Sequence, residues 1–136
     1  MKKIIIMIVC SISFLVLSAC VSKKKLILPE PETISVISIQ KKISEDIKTI
    51  TKREEISKLI DEIQKQSTST TLESLNDQPT NVKDYIIIKF THQNEEKDSV
   101  VYLYTKKKRQ YIEQPYAGIW EVNPDIANRI EETFSS

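Results

Sequence analysis

The period of the apolar positions changes along the chain, and each change predicts a different element. In the run Ile34, Val36, Ile37, Ile39 the apolar parity shifts between Val36 and Ile37. That shift predicts a strand with a bulge, or one buried on both faces. From about Lys52 to Gln66 the spacing becomes helical. Ile56, Leu59, Ile60 and Ile63 fall at i, i+3, i+4 and i+7 and make one apolar stripe. Thr51 and Glu54 have the spacing of a capping box, and Glu54–Lys58 and Asp61–Lys65 are favourable i, i+4 pairs.

Beyond the helix the pattern alternates. Ser67 to Leu75, rich in threonine, suits an edge strand, and Asn76–Asp77–Gln78–Pro79 has the chemistry of a turn. In Asp84 to Thr91, Ile86, Ile88 and Phe90 share one face, with Tyr85, Ile87 and Lys89 on the other. Ser99 to Thr105 sets Val101 and Leu103 against Val100, Tyr102 and Tyr104. Lys106 to Arg109 reads as a hairpin tip, Gln110 to Gln114 as the returning strand, and Ile119 to Val122 as another strand. Asn123 can cap a last helix with Pro124 at its first position, its apolar face being Ile126, Ile130 and Phe134. The expected fold is α+β: a mainly antiparallel sheet of about five strands, in the order β-α-β-β-β-β-α, with two helices on one face.

The first residues follow none of these periods. Lys2–Lys3 precede an almost wholly apolar run from Ile4 to Leu17, too short for a spanning helix and of the length of a signal-peptide core. Leu17–Ser18–Ala19–Cys20 then resembles a lipobox, which implies cleavage before Cys20 and a diacylglycerol on its thiol. Residues 1–19 are therefore expected to be a lipoprotein signal peptide, and 20–32 the lipidated cysteine and an extended tether stiffened by Pro29 and Pro31. Residues 33–136 would form a single domain. The expected location is the outer face of the cell membrane, held by the acyl chains on Cys20.

Charge and composition then exclude several functions. With 20 basic and 19 acidic side chains the chain is near neutral, and removing Lys2 and Lys3 takes the formal charge from +1 to −1. Nucleic-acid binding usually requires a basic domain, so no nucleic-acid partner is expected. Cys10 would leave with the signal and Cys20 would be acylated, so no disulfide is available and a packed core must carry the stability. Gly118 is the only glycine, which rules out a glycine-rich phosphate loop. His92 is the only histidine, so neither a zinc site nor any other metal site is expected. No nucleophile motif surrounds any serine, and paired carboxylates such as Glu54–Glu55 and Glu131–Glu132 diverge on their helices. No catalytic residue and no cofactor are expected. Lys106–Lys107–Lys108–Arg109 is the densest charge of the domain and is read as a solvated tip that can also meet anionic headgroups or wall polymer.

Ser74–Leu75–Asn76–Asp77–Gln78–Pro79 and Tyr111–Ile112–Glu113–Gln114–Pro115–Tyr116–Ala117–Gly118–Ile119–Trp120 carry a family likeness. From about Leu28 to the C-terminus the chain resembles a family of small Gram-positive bacterial lipoproteins known as a domain of unknown function. A similar segment is found at the extracellular end of some membrane-bound antirepressor peptidases, which suggests sensing. Leu75 and Trp120 stand where that family's pattern has valine and tyrosine. The likeness implies no activity. The function expected is a surface-tethered, non-catalytic binding or sensory module, its contact surface at Asn76, Asp77, Pro115, Tyr116 and Trp120. The alternative is a structural, envelope-maintenance lipoprotein with no specific ligand. The identity of a protein or small-molecule partner is not encoded in any motif.

Overall fold

The computed structural model describes residues 23–135, so the expected signal peptide and Cys20 lie outside the described residues. In chain order, after a single 3-10 turn at Pro31–Thr33, come β1 (Ile34–Lys41), β2 (Ile47–Ile50), α1 (Arg53–Lys65) and β3 (Ser67–Ser69). They are followed by β4 (Ile86–His92), β5 (Ser99–Lys106), β6 (Arg109–Gln114), β7 (Gly118–Val122) and α2 (Pro124–Glu132). All neighbouring strands are antiparallel, in the spatial order β2-β1-β4-β5-β6-β7-β3.

The α+β class is as the pattern indicates, but the sheet has seven strands where about five were expected. β2 was not anticipated, because its first three residues are exposed and leave no buried face to read. The threonine-rich edge strand pairs only over Ser67–Ser69 and does not continue to Leu75. The parity shift in β1 is a register irregularity between Ile34 and Val36, which lets Ile34, Ile37 and Ile39 all point into the core.

One face of the sheet carries both helices. Ile56, Ile60 and Ile63 of α1 and Ile126, Ala127 and Ile130 of α2 join Ile37, Ile39, Ile88, Phe90, Leu103 and Ile112 in one core. Each fully buried isoleucine contributes about 1.5–3 kcal/mol. Arg129 of α2 forks onto the Glu62 carboxylate of α1 and ties the helices side by side. Asn123 caps α2 as its chemistry indicates, accepting from the Asp125 N–H at 2.9 Å. The Thr51–Glu54 capping box does not form. Lys52 is the N-cap residue of α1 and provides no side-chain bond.

The segment before β1 is extended, yet it is more than a tether. Leu26 and Leu28 are buried in the same core as the helices. The Trp120 indole N–H donates to the Lys24 carbonyl at 2.9 Å, and the Gln114 amide donates to the Ile27 carbonyl at 3.1 Å. The folded unit therefore begins near Lys24 and not at residue 33, because alternating leucines in an extended chain present one face to the sheet. Leu28→Ala should cost about 2–5 kcal/mol. Ile27→Ala, at a side chain 72 % exposed, should shift stability by no more than about 0.5 kcal/mol. Urea unfolding of the two variants checks this, and equally small effects would return the segment to a passive tether.

Candidate functional site

The face of the sheet opposite the helices is built by the same alternation that builds the core. The pairings Ile87↔Tyr102, Tyr102↔Glu113 and Glu113↔Ile119 place these four residues in one cross-strand row. Tyr104↔Tyr111 and Tyr111↔Glu121 make the row beside it. The rings of Tyr104 and Tyr111 lie 5.9 Å apart, and Tyr85 meets Tyr102 edge-on at 5.2 Å.

Residues 70–85 run across this face as a strap from β3 to β4, fastened to the sheet by Thr70 and Ser74 and braced internally between Gln78 and Tyr85. Thr70 donates to the Ile119 carbonyl at 2.6 Å, Ser74 to Glu113 Oε1 at 2.7 Å, and Tyr85 to Gln78 Oε1 at 2.7 Å. Ser74 and Glu113 are the buried polar side chains of the described residues. Glu113 Oε2 accepts a second bond, from the Tyr104 hydroxyl at 3.0 Å. No cation lies within ion-pair distance of this carboxyl among the described residues. Its two hydroxyl donors must therefore offset the cost of taking it out of water. Burial raises the Tyr104 phenol well above its ordinary pKa, and the neighbouring Glu113 raises it further. The Tyr102 phenol is raised too, first by burial and then by Tyr85, Asp77 and Glu113. Between strap and strands lies a cavity of about 400 Å³ whose walls include Leu72, Leu75, Tyr104, Tyr111 and Glu113.

At one end of this face the two sequence motifs meet. Pro115 and Tyr116 occupy the central positions of a turn closed by the Ala117 N–H on the Gln114 carbonyl at 3.0 Å. Tyr116 has φ +60°, so the turn is of type II, where glycine or asparagine is the usual occupant. The residue is 67 % exposed. Hydrogen bonding to the Asp77 carboxylate raises the Tyr116 phenol above its ordinary pKa. Asn76 and Asp77 are exposed, and Pro115 is half-buried.

Trp120 does not share that surface. It is 3 % exposed and faces the helices, because β7 places Trp120 and Val122 on the core side and Ile119 and Glu121 on the other. A Cβ on Gly118 would come within 3.1 Å of the Trp120 ring, so the glycine is needed for close approach of the indole. Ser74, Tyr104 and Glu113 were not singled out from the sequence as site residues. The signal was present: Glu113 shares a strand face with Tyr111.

His92 Nε2 lies 2.8 Å from Ser99 Oγ, the spacing of a nucleophile and its base. His92 Nδ1 is buried with no hydrogen-bond partner among the described residues. The pair therefore lacks the carboxylate that orients the imidazole of a triad.

The helix-backed sheet and its strapped tyrosine face define a small antiparallel α+β domain with a buried carboxyl on its open side. The chain belongs to the DUF5301 family, described as a domain of unknown function (DUF5300), whose model matches residues 22–121. It is similar to a protein from Ruminococcus gnavus solved by NMR, at 27 % identity and a TM-score of 0.61, over 75 % of this chain and 98 % of that chain. No curated protein matches the chain.

The raised Tyr104 phenol has a consequence for stability. The folded state holds that proton more tightly than the unfolded chain does. Its contribution is complete below the unfolded pKa of about 10 and is lost as pH rises beyond it. Stability should therefore fall above about pH 10. Tyr104→Phe should flatten that fall and, by removing a donor to Glu113, cost about 1–3 kcal/mol at neutral pH. Urea midpoints measured across this range check both signs.

Proposed function

We propose that this protein is an extracytoplasmic lipoprotein, anchored through a diacylglycerol on Cys20, whose domain binds or senses a partner and performs no catalysis. The observation that carries the reading is the exposed Tyr116, held at φ +60° in its turn, with Asp77 of the distant motif acting on its phenol. An exposed tyrosine held in a strained turn costs stability that the fold does not need, and such strain clusters at contact sites. Asn76, Asp77, Pro115 and Tyr116 form the contact surface, and the cavity under the strap adjoins the Asn76 side. The anchor reading rests on the lipobox-like Leu17–Ser18–Ala19–Cys20. No described helix is long and apolar enough to cross a membrane. Two acyl chains hold a protein stably where one is marginal.

A maintenance lipoprotein with no specific ligand is the second reading. The Ser74–Glu113–Tyr104 network supports it, since those bonds serve the fold itself. The readings differ in where loss-of-function changes fall. Metabolic labelling with a fatty-acid analogue should mark the wild-type chain and leave Cys20→Ala unmarked and released from the membrane fraction. Crosslinking on intact cells should give a reproducible partner that Tyr116→Ala or Asp77→Ala removes without lowering the thermal midpoint. A partner pattern indifferent to both substitutions favours maintenance.

A further inference from the structure

We infer that the end of the sheet opposite the N-terminal segment carries a second binding site, for a linear phosphate-bearing polyanion. The N-terminal segment is fastened at the Gln114 end of β6: Gln114 donates to Ile27 and the Trp120 indole to Lys24. The Lys107–Lys108 turn lies at the other end of that strand, about 20 Å away at ordinary strand rise. There a groove of about 550 Å³ is lined by Lys41, Lys83, Lys106 and Lys107, opposed by Asp84 and Glu131.

The cations of this groove are available. Lys83, Lys106 and Lys107 make no ion pair among the described residues, and Lys41 rests over the Phe134 ring at 4.8 Å. Arg109, by contrast, is engaged with Glu121 at 3.5 Å and drops out of the count. The turn that presents these charges is strained. Lys107 and Lys108 have φ +50° and +65°, the two positive values of a type I′ turn. Asn-Gly would fill that turn at lower energy. Charge is thus carried at a backbone position where neutral residues fold better.

The lysines come from three separate segments, β1, the strap and the β5–β6 turn, and that spread favours a linear ligand over a single ion. Asn81, Tyr104, Lys106 and Lys107 line both this groove and the cavity under the strap, so the two hollows share one wall. The choice of polymer over lipid headgroup rests on the proposed anchoring. With Cys20 in the bilayer and the N-terminal segment at the Gln114 end, the lysine groove faces outward.

The test uses the full chain in neutral detergent, with inorganic polyphosphate as the probe. Lys83→Gln/Lys106→Gln/Lys107→Gln should weaken binding about a hundredfold, a several-fold loss for each lysine. Lys23→Gln/Lys25→Gln, at the other end, should leave binding unchanged. Thermal midpoints of both variants confirm that they fold. Equal losses in the two variants, or none in the first, overturn the site. Pelleting of the Cys20→Ala chain with phosphatidylglycerol vesicles through the same three lysines, with no polyphosphate binding, overturns the polymer in favour of a headgroup. Acyl labelling of Cys20 in the same preparation reads the anchor separately. Polyphosphate binding in detergent needs no anchor, so failure of anchoring and failure of the groove are told apart.

Discussion

The chain reaches β3 at one edge of the sheet and must re-enter at β4, in the interior, while the helix face is already filled. α1, α2 and the leucines of the N-terminal segment occupy that side. The return is forced onto the opposite face, across β7, β6 and β5. Long connections in compact domains are uncommon and are usually functional where they occur. Here the connection becomes a strap, and the buried carboxyl, the cavity beside it and the Asn76–Asp77 surface all depend on its course. Without the crossover the tyrosine rows would be an open, half-polar sheet face.

A strap over a sheet must satisfy its own backbone and whatever it covers. The solution is a buried carboxyl. Glu113 accepts from Ser74 on the strap and Tyr104 on the sheet, so one side chain joins the two layers. An apolar residue at this position would avoid the desolvation cost, but it would not specify where along the face the strap settles. Thr70 repeats the device at the β3 flank, donating to the Ile119 carbonyl at 2.6 Å, while Gln78 and Tyr85 brace the strap internally.

The legible parts of the fold were those where one element carries its own signal. The stripes of both helices, the Asn123 cap and the Lys106–Arg109 hairpin follow from local spacing and chemistry. β2 has no buried face at Ile47, Lys48 or Thr49, so its pairing with β1 leaves no trace in the pattern. The prolines at 29 and 31 dominated the reading of the N-terminal segment and hid the alternation of Leu26 and Leu28. Trp120 was legible in principle, since its parity with Val122 decides its face. The partners of Glu113 and Tyr116 were not, because Ser74 and Asp77 come from a strap whose course is set by tertiary packing alone.

The stretch from Glu113 to Trp120 now has a physical reason at nearly every position. Glu113 receives the strap; the Gln114 amide holds Ile27 while its carbonyl closes the turn. Pro115 presets the first central position of that turn. Gly118 leaves room for the indole, and Trp120 fills the core and fixes Lys24. Tyr116 is the position where the demand of the fold and the identity of the residue disagree. The turn calls for glycine or asparagine, and the tyrosine ring gains little burial in return. Local rules are broken most often where function requires it. The exposed ring beside Asp77 is therefore where a contact surface is placed, and Trp120, which every local rule explains, belongs to the scaffold.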